Sequence, residues 1–120
     1  MRQPGALSFI LTLFPERKVK PKLYTMQFLL TAYDGTDGEA AGRRLAARPE
    51  HLEKIRELKN SGEFLFGGAI LDDSGNMIGS MVLYEFPDRK TMDERLKDEP
   101  YIYAGIWKKI EIVPFRLANI

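Results

Sequence analysis

Four stretches of this chain carry β-branched and aromatic residues on both alternating positions, yet only two stretches read as helix, and this imbalance constrains the fold most. The strand candidates are residues 26–33, 63–71, 77–86 and 106–115, each bounded by turn-forming residues. The first helix is expected to begin near Arg48, because Pro49 suits a first helical position where its missing N–H costs nothing. It should end at Ser61-Gly62, with Leu52, Ile55 and Leu58 as its buried stripe. The second helix opens at Asp88 as N-cap after Pro87, sets Met92 and Leu96 one turn apart, and stops before Pro100. Asp72 to Asn76 form a turn cluster that reads as a hairpin between strands two and three. The order is β-α-β-β-α-β: an α+β, ferredoxin-like sandwich on an antiparallel sheet.

An open sheet roofed by helices on one side should be polar on the other. Here strand two has Phe64, Phe66 and Ile70 on one parity and Leu65, Ala69 and Leu71 on the other. Strand three opposes Met81 and Leu83 to Ile78, Val82, Tyr84 and Phe86. A sheet apolar on both faces leaves more oily surface than a monomer tolerates, so a second copy is expected to stack on it, giving a homodimer with a cavity near the seam.

Length and composition narrow the function. A chain of 120 residues with 44% hydrophobic and 29% charged composition fits one domain, expected over 26–120, with residues 1–25 as an extension outside its core or an over-long start ahead of Met26. The absence of cysteine removes disulfides, thiolate nucleophiles and cysteine-bound zinc, and a single histidine argues against a histidine-rich metal centre. Residues 1–25 hold five Lys/Arg and one Glu, which leaves 13 basic and 16 acidic groups in the remainder. A mildly acidic domain is a poor partner for nucleic acid. The apolar run 7–14 is too short to span a bilayer, so no membrane association and a cytoplasmic location are expected.

The lone histidine, His51, lies about 40° from Ile55 on a helical projection and so faces the sheet. An inward histidine is ordinarily a satisfied core residue. Arg48, three positions earlier, shares its face, and both would stand at a helix N-terminus that favours anions. A carboxylate partner is available in the segment 97–101, where Asp98 and Glu99 precede Pro100 and Tyr101; the alternative is that both acids form a solvated helix end. A histidine held by a carboxylate is fixed in one tautomer and becomes a better general base. Tyr33 and Tyr101 could each hydrogen-bond an oxygenated ligand or simply pack. Gly67-Gly68 suits a bulge or a close ligand approach, with the bulge preferred, and Trp107 and Phe115, on one parity of strand four, are expected at the dimer seam. Residues 79–86 are similar to the signature strand of RNA-recognition domains but lack its stacking aromatics, and Asp72 to Asn76 lack the glutamate of a calcium loop.

The runs YDGTDGEAAGRRLAARPEHL, LFGGAILDDSGNMIGSM and DEPYIYAGIWKKIEIVPF together resemble the YCII-related family over essentially all of residues 26–118. The resemblance implies dimeric α/β barrels of ferredoxin-like subunits, related in fold to muconolactone-isomerase-type proteins, with a histidine–carboxylate pair at each cavity. It places the family's R-x-x-H element on Arg48 and His51. The aspartate of its D-P-aromatic motif falls on Glu99, a departure that keeps the carboxylate and adds a methylene. The implied activity is general acid/base elimination or isomerisation of a small cyclic metabolite, with His51 and Glu99 catalytic and Arg48 binding substrate; position alone adds Tyr101, Tyr33 and Asp98 as candidate substrate-binding residues, and no metal or organic cofactor is expected. The alternative is a dimeric module that binds a small metabolite without turning it over.

Overall fold

In a computed structural model that describes residues 25–120, four strands hydrogen-bond into one antiparallel sheet in the order β2-β3-β1-β4. The elements are β1 (Met26–Asp34), α1 (Ala40–Asn60), β2 (Phe64–Leu71), β3 (Met77–Phe86), α2 (Arg89–Arg95), a 3-10 turn (Leu96–Asp98), α3 (Pro100–Tyr103) and β4 (Trp107–Phe115). This is the ferredoxin-like β-α-β-β-α-β arrangement read from the sequence. The extension expected over 1–25 lies outside the described residues apart from Thr25. Among the described residues no helix is long and apolar enough to cross a membrane.

Register decides which residues share a face. Phe28, Leu30 and Ala32 of β1 stand opposite Tyr84, Val82 and Ser80 of β3, and all six are buried on the helix side. Leu58, Phe86, Met92, Leu96, Tyr101, Ile106 and Trp107 complete that core. On the other side, where no helix lies, Tyr33, Phe66, Met81, Val113 and Phe115 each remain 40–43% exposed. The second face therefore carries the apolar patch its alternation predicts, alongside Gln27, Thr31, Lys109 and Glu111 of the same face.

Three expectations need correction. Helix α1 starts at Ala40 rather than near Arg48, because Asp37 organises its first turn. The Asp37 carbonyl accepts from the Ala40 N–H at 3.2 Å, its carboxylate accepts from the Glu39 N–H at 3.2 Å, and Arg43 grips the same carboxylate at 2.6 and 2.9 Å. The Arg43 guanidinium holds that carboxyl well below the usual range, so it stays ionised. Pro49 sits inside the helix, where an interior proline costs about 3 kcal/mol. It is tolerated on the solvent side: Pro49 and Leu45, whose carbonyl loses its N–H partner, are both exposed. The helix ends as expected at Gly62, whose positive φ of 83° suits glycine and whose N–H donates to the Lys59 carbonyl.

The buried face of α1 is also different. Leu58 is fully buried, but Leu52 and Ile55 are only half-buried, and Arg44, His51 and Lys54 take the inward positions. Finally, two irregularities rotate strand faces. A register shift between Phe64 and Phe66 sets Phe64 opposite Tyr84 and Phe66 opposite Leu83, so these phenylalanines point to opposite sides. A second shift at Tyr33/Asp34 turns Trp107 into the core while Phe115 stays on the open face.

Candidate functional site

The site is organised by a break in the chain. Pro100 ends the 3-10 turn and begins α3, leaving Glu99 extended (φ −73°, ψ 117°) as the N-cap of that short helix. Its Oε2 accepts from the Tyr101 N–H at 2.9 Å and lies 2.7 Å from Nδ1 of His51. Glu99 is 0% exposed, so both contacts compensate its loss of water, and Oε1 has no hydrogen-bond partner among the described residues. An ionised Glu99 makes Nδ1 the protonated ring nitrogen and leaves Nε2 as the basic one. Glu99 thus reaches the histidine directly despite the longer side chain.

Aromatic rings fix the plane of the imidazole. Tyr101 stacks on His51 with centroids 3.8 Å apart and planes within 8°, and Trp107 meets His51 edge-on at 6.1 Å. Behind Tyr101, the Arg44 guanidinium carbon lies 4.8 Å over its ring. Arg44 donates to both oxygens of Asp34 at 2.9 Å and to Ser80 Oγ at 2.8 Å, and Ser80 Oγ also accepts from the Trp107 indole N–H at 3.1 Å. Asp34, Arg44 and Ser80 are all buried. Burial holds the Tyr101 phenol above its ordinary range, so it stays protonated, and its hydroxyl has no partner among the described residues.

His51 and Tyr101 border a cavity of about 90 Å³ between α1 and the β2–β3 edge. Arg48, Leu52 and Ile55 line it from the helix, and Phe64, Gly67, Ala69, Met77, Ser80 and Val82 from the sheet. It lies on the helix side, away from the open face where a seam cavity was expected. Gly67 is required by packing, since a Cβ there would come within 2.8 Å of the Met81 carbonyl oxygen. Arg48 lines the cavity, is exposed, and has no carboxylate partner among the described residues. Because α1 begins two turns earlier than expected, the positive charge at the cavity comes from Arg48 itself and not from a helix terminus.

Of the six residues expected at the site, the structure gathers His51, Glu99, Tyr101 and Arg48. It does not gather Tyr33 or Asp98. Tyr33 is exposed on the open face, beside Lys109. Asp98 pairs with Lys54 at 2.6 Å, its side chain 71% exposed and its carboxyl held below the usual range by that lysine. Sequence reasoning missed Arg44, Asp34 and Ser80, and set Trp107 at the dimer seam instead. The available signal was spacing: Arg44, Arg48 and His51 lie at i, i+4 and i+7, one helical face, once the helix is allowed to run through Pro49. Among the described residues no group of three or more His, Asp or Glu side chains is placed to hold a metal ion.

The family model described as the YCII-related domain matches residues 26–116. Over 97 residues the chain is 28% identical to Protein YciI of Escherichia coli O6:H1, covering 76% of this chain and 97% of that protein. An uncharacterized protein of Haemophilus influenzae is 28% identical over 80 residues, 62% of this chain and 82% of its own. Among solved structures, 5-chloro-2-hydroxyhydroquinone dehydrochlorinase (TftG) from Burkholderia phenoliruptrix AC1100, in complex with 2,5-dihydroxybenzoquinone, superposes with a TM-score of 0.66 at 22% identity, covering 78% of this chain and 96% of that one. A dimeric ferredoxin-like protein of unknown function from Bacteroides fragilis gives a TM-score of 0.50 at 11% identity, covering 78% and 97%.

Proposed function

This chain belongs to the YCII-related family, and from that premise we propose that it is a small-molecule enzyme in which His51 is the general acid/base and Glu99 its orienting carboxylate. In the proposed reaction Nε2 of His51 takes a proton from a small cyclic metabolite, and the electron pair released moves into the substrate. Either a leaving group departs with its own pair, giving elimination, or the proton returns at another carbon, giving isomerisation. Glu99 stabilises the imidazolium formed between these events, and Arg48 at the cavity wall neutralises the oxyanion that develops. A dehydrochlorinase of the same fold carries a ring-shaped quinone, which makes cyclic, hydroxylated and halogenated compounds the class to test first.

The carrying observation is the 2.7 Å contact between His51 Nδ1 and a fully buried Glu99, beside a cavity that also holds unpaired Arg48. Turnover of such a compound library, read by NMR, tests the reading. His51→Ala should lower the rate by roughly 10²–10⁴-fold; an unchanged rate would exclude acid/base chemistry by this residue. A compound that raises Tm and emerges unchanged would support the binding-module reading instead.

We also infer that residues 26–120 form the folded unit and that a second copy covers its open face, giving a homodimer. Five apolar side chains at 40–43% exposure support this, and the Bacteroides fragilis protein of the same fold is dimeric. Sedimentation should find a dimer that Met81→Lys with Val113→Lys converts to monomer, and a wild-type chain that stays monomeric at high concentration overturns it.

A further inference from the structure

Arg44 is buried, bonded to Asp34 and Ser80, and its remaining Nε is sealed from solvent with no partner among the described residues. The Tyr101 hydroxyl is sealed in the same way. Both residues border the cavity, and each keeps one polar atom that is closed to water and has no hydrogen-bond partner among the described residues. What they share is a ring face: Arg44 lies 4.8 Å over Tyr101, and Tyr101 lies 3.8 Å from His51. Arg44 and His51 are seven residues apart on α1, so they are separated by about 10 Å along the axis. The Tyr101 ring is thus in contact with both the guanidinium and the imidazole.

We infer that Asp34, Arg44 and Ser80 are positioning residues for His51: the buried Asp34–Arg44 pair presses Tyr101 flat against the imidazole, and Ser80 ties the same arginine to Trp107, the edge-on neighbour of that ring. The inference rests on His51 being the acid/base of the proposed reaction, but it acts on the histidine itself. The imidazole then has two restraints, an in-plane one from Glu99 at Nδ1 and an out-of-plane one from the stack. An imidazole restrained in plane alone could still tip about its Cβ–Cγ bond and swing Nε2 out of the cavity. A guanidinium suits the task because it is planar, always charged, and able to stack while bonded at its edges; an ammonium cannot do both.

His51 is the only histidine of the chain, so its ring resonances identify themselves in an NMR spectrum. In the full-length protein without ligand, the His51 C–H signals should lie upfield of free imidazole because of the stacked Tyr101 ring, and ring ¹⁵N shifts should report a protonated Nδ1. Arg44→Lys keeps the charge and removes the flat contact. It is expected to abolish most of the upfield displacement and mix the tautomers while the amide spectrum stays folded. If Arg44→Lys does not fold, Ser80→Ala is read in its place, with a partial loss expected. Unchanged His51 signals in the folded variant overturn the inference. Because no substrate enters the measurement, a failure to find turnover leaves this result standing, and the reverse holds as well.

Discussion

The two ends of the layer beneath α1 are built on different terms. At one end Leu58 belongs to an apolar cluster with Tyr84, Phe86 and Met92, all fully buried. At the other, Arg44 and His51 occupy equivalent inward positions and meet Asp34, Ser80 and Glu99. Apolar contacts are non-directional and tolerate small shifts, whereas each polar contact at the second end has one acceptable geometry. The helix therefore gains adhesion at one end and orientation at the other. A cavity borders the oriented end.

The largest expected effect comes from breaking the buried pair. Arg44→Ala leaves Asp34 buried without its cation, and such a loss costs roughly 3–5 kcal/mol, measurable by urea unfolding. Leu58→Ala, at the apolar end, should cost about 2–5 kcal/mol of stability. The comparison predicts that these substitutions differ in kind: Leu58→Ala should leave the His51 ring signals in place, and the arginine variant should not. A leucine variant that disturbed His51 equally would show that the two ends are one packing unit.

That division was only partly legible in the sequence. Element order followed from β-branched runs and turn residues, and the break at Pro100 marked the segment that holds Asp98 and Glu99, but the choice between these two acids came from the resemblance to the family's D-P-aromatic motif and not from the residues themselves. The polar end was hidden by Pro49. Read as a helix start it removes Arg44 from the helix, and only the three-dimensional fact that Pro49 faces solvent reverses this. Trp107 was misassigned for a related reason, since a bulge shifts parity by one residue and leaves no compositional trace. Asp98 and Glu99 differ by one position along the chain, yet one is exposed against Lys54 and the other fully buried.

Glu99→Gln sharpens the contrast at intermediate size. The amide keeps the volume and can still accept from the Tyr101 N–H, so the stability loss should be about 1–3 kcal/mol, read as a fall in Tm. Its larger effect should fall on chemistry, because a neutral partner no longer favours the imidazolium. A variant that is as active as wild type in any reaction found would remove Glu99 from the mechanism while leaving it as a cap.

The smallest effect is expected where the polar end meets water. Asp98 is mostly exposed, and Lys54 retains Glu57 at 3.8 Å when Asp98 is neutralised, so Asp98→Asn should cost about 0–1 kcal/mol. Lys54 holds the folded-state carboxyl of Asp98 below the ordinary value of 3.8, which fixes the sign of the pH dependence. A carboxyl with a depressed folded-state pKa contributes stability above its unfolded value and loses it as pH falls toward the folded one. The difference in unfolding free energy between wild type and Asp98→Asn should therefore be flat from neutrality down to about pH 5 and shrink below about pH 4. Should Asp98→Asn instead cost as much as Arg44→Ala at neutral pH, the Lys54 contact would belong with the buried network, and the boundary between oriented and merely solvated charge would have to move outward to the 3-10 turn.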